Sequence, residues 1–151
     1  MTKEEKAYLE INTSRLTQKQ LEKNVKILAN SENYGNDMFL NNGSKFYWRY
    51  RANVLLLRGY PKVKNVIPEL YNWLQDINWP GADEIMKLLS TFPRDVLVSS
   101  FEEAVGRAVK QNDEEWMLFL YEFAENNNII ESEFENKELF KIIEDYYTSL
   151  N

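Results

Sequence analysis

Apolar residues recur at steps of three and four along nearly the whole chain, a period that predicts helices and leaves no confident strand. Thr17 and Gln20 have the spacing of a capping box and open a helix through Leu21, Val25 and Leu28 to about Asn30. Residues 31–44 hold Asn33, Gly35, Asn36, Asn41, Asn42 and Gly43, the composition of a loop, with a short turn expected around Met38-Phe39-Leu40. An aromatic-rich helix is predicted over residues 45–58, with Gly59 placed to end it. Pro61 is expected in the first turn of the next helix, whose Val63, Val66, Ile67, Leu70, Leu74 and Ile77 form one apolar face. Pro68 interrupts that pattern and is expected either to kink the helix or to delay its start. Pro80 and Pro93 open two more helices, the second with Leu97, Phe101, Ala104, Val105 and Ala108 as its inward stripe. Asp113 is placed to cap another, and a last helix runs from about residue 132 or 134 through Leu139, Ile142, Ile143 and Tyr146.

The expectation is one all-α domain over residues 1–151, built of six to eight helices as stacked hairpins. Its parts are N-terminal helices and a loop (1–59), two hairpins (60–127) and a C-terminal capping helix (128–151). An internal repeat supports the hairpins. Asp76-Ile77-Asn78-Trp79 and Asp113-Glu114-Glu115-Trp116 share the pattern D-x-x-W with their aspartates 37 residues apart, each after a longer apolar helix. Repeats of about this length, with an Asp at the inner turn, are what stacked hairpin solenoids use.

The run from Ile67-Pro68 to Asp76-Ile77-Asn78-Trp79-Pro80 resembles a HEAT-like repeat. Within it, W-L-Q-D-x-N-W-P is similar to an uncharacterised bacterial family of short HEAT-like proteins, a domain of unknown function, over about residues 60–125. The helices after Asp76 and Asp113 depart from the commoner HEAT pattern in lacking the arginine often found there. Such families often sit among toxin-immunity modules, so the resemblance implies an immunity role.

Composition narrows the chemistry. The 151 residues, 44% of them hydrophobic, suffice for a core without staples. The charged start Met1–Lys6 leads into no apolar run, and no stretch approaches a membrane span, so a cytoplasmic protein is expected. The chain has no histidine and no cysteine. Thiol nucleophiles, Ser-His-Asp triads, imidazole bases and ordinary zinc sites are therefore excluded, and no enzyme, metal or cofactor is expected. Glu102-Glu103 and Glu114-Glu115 supply neighbouring carboxylates, but adjacent helical residues point about 100° apart and cannot easily share a metal.

The net charge of −6 is unevenly spread: residues 1–60 carry ten basic and six acidic side chains, residues 61–151 eight and eighteen. An acidic half disfavours nucleic acid and anionic membrane and favours a basic protein partner. Asp76, Asn78, Trp79, Asp113, Glu114, Glu115, Trp116 and Glu122 are the candidate partner-binding residues, as a ridge of acids and indoles facing a basic toxin domain. Their structural alternative is helix caps and packing indoles. The competing function is a nucleic-acid-binding or base-repair module using Arg49, Arg51 and Arg58, which interleave with Phe46, Tyr47, Trp48 and Tyr50 much as basic and aromatic residues do in such modules. That basic, aromatic stretch also resembles DNA-repair glycosylases built of HEAT-like repeats. A third is a regulatory or structural interaction subunit.

Overall fold

The computed structural model describes residues 1–150, and among them every regular element is a helix. Eight α-helices follow in order: α1 Lys3–Thr13, α2 Gln18–Ala29, α3 Trp48–Arg58, α4 Ile67–Asn72, α5 Ala82–Ser90, α6 Arg94–Lys110, α7 Glu114–Asn126 and α8 Lys137–Leu150. Two compact units result. Met1–Val66 fold with Asn78–Thr91, and Ile67–Ile77 fold with residues 92–150.

Caps decide several boundaries. Thr17 accepts the Gln20 N–H while the Gln20 side chain accepts the Thr17 N–H, which is the reciprocal box expected at the start of α2. Thr2 does the same one-sidedly for α1, accepting from Glu5. Helix α1 is not among the helices that the apolar period predicts. Its inward stripe is only Ala7 and Ile11, too sparse to stand out. Gly59 ends α3 at a φ of 68°, a conformation open to glycine.

The long helix expected from Pro61 through Ile77 is instead broken into three short pieces. A 3-10 turn at Lys64–Val66 leads into α4, and a second at Trp73–Gln75 follows it. Pro61 lies in a turn, and Pro68 takes the first turn of α4, where a missing N–H is harmless. The apolar face survives the break: Val63, Val66, Ile67, Leu70 and Leu74 are all buried.

In the first unit α1 packs on α2, α2 on α3, and α3 on α5. Helix α3 is the hub. Tyr50 Oη accepts the Leu16 N–H at 2.9 Å, and Arg51 Nε donates to Asn12 Oδ1 at 2.8 Å. Trp48 Nε1 and Arg51 Nη1 donate to the carbonyls of Asn42 and Leu40. Arg58 does most. Its Nη2 donates to Leu28 O, Ser31 O and Tyr34 O at 3.0, 3.3 and 2.7 Å, and its Nη1 to Asn36 Oδ1 at 2.8 Å. The guanidinium also lies over the buried Phe39 ring. Burial pushes Arg58 below its ordinary value, and the carbonyls at the end of α2 keep the charge favourable there.

Replacing Arg58 with alanine would strand three inward-facing carbonyls. Arg58→Ala is expected to cost about 2–4 kcal/mol in urea denaturation. Arg58→Lys is expected to recover little of it, since an ammonium lacks the planar fork. Amide exchange over residues 31–42 should accelerate in both.

Candidate functional site

The second unit packs α4 and α8 on α6, with α7 against both α6 and α8. Its core is an aromatic column. Phe101 stacks on Phe123 at 5.7 Å, Tyr71 meets both edge-on or tilted, and Phe134 continues from Phe101 to Phe140 at 5.9 and 5.3 Å. Tyr71 Oη is held by Ser100 and the Leu97 carbonyl, and burial pushes its phenol well up. The column reaches the surface at Tyr121, whose ring lies 6.0 Å from Phe140 and 4.7 Å from Tyr147.

Around that outlet the surface is acidic. Burial, then the charges of Glu144 and Glu125, push the Tyr121 phenol up. Tyr146 Oη donates to Glu114 Oε2 at 3.1 Å, and burial followed by that carboxylate raises its phenol too. Glu114, Tyr121 and Glu125 stand seven and four residues apart and share one stripe of α7. Glu115 and Glu122 form a second stripe about 100° around the helix. Glu115 is exposed and Glu122 half-buried. The unit as a whole carries five basic and sixteen acidic residues, −11, whereas the first carries thirteen and eight, +5.

The candidate residues are divided between the two units. Asn78 and Trp79 fold with the first unit, and Asp76, Asp113, Glu114, Glu115, Trp116 and Glu122 with the second. Trp79 packs edge-on against Trp48 at 5.6 Å, with the Lys45 ammonium over both rings. Asp113 is the N-cap of α7, its Oδ1 accepting the Trp116 N–H at 3.1 Å. Trp116 is fully buried, under the Arg107 guanidinium, and offers a partner no surface. The two D-x-x-W copies also differ. Asp113 directly precedes its helix, but Asp76 is itself extended and a turn follows it before α5 begins at Ala82. Identical patterns thus take different backbone paths, because Pro80 and Gly81 stand where the second copy has helix-forming residues.

The rival basic site is spent internally. Arg51 and Arg58 donate to loop carbonyls and side chains, Trp48 and Tyr50 are buried, and only Arg49 of the three arginines is exposed. Glu102 is likewise engaged, accepting the N–H groups of Glu135 and Asn136 at 2.8 and 3.0 Å. It lines a groove of about 980 Å³ beside α6, together with Val98, Gly106, Leu139 and the Arg94–Glu133 pair. Arg94 meets both Glu133 oxygens and the carbonyls of Asn127 and Asn128. Among the described residues no group of three carboxylates could hold a metal ion, and no helix is long and apolar enough to cross a membrane.

Tyr121, Tyr146 and Tyr147 were missed as site residues. Their signal was present in the seven-residue step from Phe140 to Tyr147 and in the Glu114–Tyr121–Glu125 stripe, both visible once α7 and α8 pair.

Residues 51–149, about two thirds of the chain, match a family described as Domain of unknown function (DUF5071). No curated protein and no solved structure matches the chain.

Two outcomes are expected. Trp116→Ala should cost about 3–5 kcal/mol as a core truncation, and a thermal melt would expose a smaller role. Arg94, by hydrogen bond, lowers the Glu133 carboxyl below its ordinary 4.5. The contribution of this pair is therefore complete above that value and lost as pH falls through the lowered one. Being partly exposed, it should amount to about 0.5–1 kcal/mol, seen as a stability gap between wild type and Glu133→Gln that closes on acidification.

Proposed function

The chain belongs to the DUF5071 family, and for it we propose a non-catalytic role: the α7–α8 face of the second unit binds a basic protein domain. The observation that carries this reading is the outlet of the aromatic column at Tyr121 and Tyr147, set among Glu114, Glu125 and Glu144 in a unit of charge −11. Tyrosines supply large contact area at low entropic cost, and carboxylates that find no cation of their own unit are available to an incoming lysine or arginine. Only two ion pairs form among the described residues, Arg94–Glu133 and Lys141–Glu131, and both lie away from Glu114 and Glu125 in sequence. An immunity protein that occludes a basic toxin domain is the form of this role favoured by the likeness of the W-L-Q-D-x-N-W-P run to short HEAT-like proteins. The cytoplasm is the matching compartment.

The test is affinity purification of the tagged protein from its native host, followed by binding measurements on the purified pair. One stoichiometric basic protein should be retained at low salt. Reversal at Glu114→Lys, Glu115→Lys and Glu125→Lys, with the helical spectrum unchanged, should weaken it roughly tenfold or more and flatten its salt dependence. An affinity indifferent to both reversal and salt would remove the acidic-face reading.

A further inference from the structure

Helix α2 of the first unit is flanked on both sides by open grooves. The one toward α1, about 640 Å³, is lined by Ala7 and Ile27 and by Lys3, Lys6, Lys23 and Lys26. The one toward α3, about 520 Å³, is lined by Val25, Ala29, Leu56 and Leu57 together with Lys26 and Lys62. Lys26 and Asn30 line both, so the two grooves make one surface astride α2. Leu57 is 55% exposed, a large apolar side chain standing in water. All five lysines are exposed, and none is held in an ion pair among the described residues. Glu10 and Glu22 are the acids that line these grooves, and Glu10 receives an Asn24 amide.

We propose that this α2 surface docks an acidic amphipathic peptide segment of a partner protein, at a site separate from the acidic α7–α8 face. Charge complementarity selects the occupant: five uncompensated ammonium groups in a unit of +5 attract carboxylates. The apolar interior selects a peptide among anions, since leucine-like side chains at three- and four-residue steps fill such grooves from one helical face. Nucleic acid would want aromatic platforms, and no aromatic residue lines either groove. An anionic bilayer would want several protruding apolar side chains, and Leu57 is the one large apolar lining residue that is exposed.

The experiment uses the full chain and four fluorescent probes: a helical peptide with glutamates on one face and leucines on the other, its lysine-for-glutamate analogue, a single-stranded oligonucleotide, and phosphatidylserine vesicles. The acidic peptide should bind most tightly in anisotropy, and more weakly as salt rises from about 50 to 300 mM. Lys23→Glu with Lys26→Glu should lower its affinity roughly tenfold or more, and Leu57→Gln several-fold. Lys23→Gln with Lys26→Gln serves where the reversal disturbs folding. Reversal at Glu114, Glu115 and Glu125 should leave the peptide affinity unchanged, which separates this site from the α7–α8 face. Absence of acidic-peptide binding, tighter binding of any other probe, or indifference to the lysine variants would overturn the proposal.

Discussion

The guanidinium of Arg58 joins what the first unit would otherwise leave apart. It gathers the carbonyl of Leu28 at the end of α2, those of Ser31 and Tyr34 in the following loop, and the side chain of Asn36. Asn36 in turn donates to the Lys62 carbonyl and to Asn65 Oδ1. One side chain at the end of α3 therefore fixes the loop before that helix and the turns after it. A half-buried cation without a carboxylate is stable here because it meets the negative end of α2 and several carbonyls that need donors. The pairing of α2 with α3, and with it the grooves astride α2, depends on this arrangement.

The second unit is organised differently. Its aromatic column is nearly apolar, and its carboxylates are displaced to the surface of α7 and α8, where few cations of the same unit meet them. Self-repulsion on that face is a cost to folding that a partner's positive charge would relieve. The basic excess of the first unit and the acidic excess of the second give the chain two chemically opposite units.

Helical period, caps and breakers made much of the fold legible. The Thr17–Gln20 box, the Gly59 stop, the Pro93 start and the Asp113 cap all act within a few residues, so the order of side chains specifies them. The same local logic failed between Pro61 and Ile77, where a continuous apolar face suggested one helix. Burial imposes the face but not a single backbone conformation, and successive 3-10 and α turns satisfy it equally. It failed again at the two D-x-x-W motifs, which share letters but not neighbours. Trp116 entered the core under Arg107, while Trp79 packed edge-on against Trp48.

The sequence by itself determined that the chain is all-α, that it has no histidine and no cysteine, and that its charge is divided along its length. These follow from composition and from interactions spanning a few residues. Only the tertiary structure decided that Arg51 and Arg58 turn inward, that residues 78–91 fold with the N-terminal unit, that Tyr146 meets Glu114, and that Tyr121 meets Tyr147. Those outcomes depend on which helices pack together. Donors and acceptors 22 to 39 residues apart find each other only after that packing is complete.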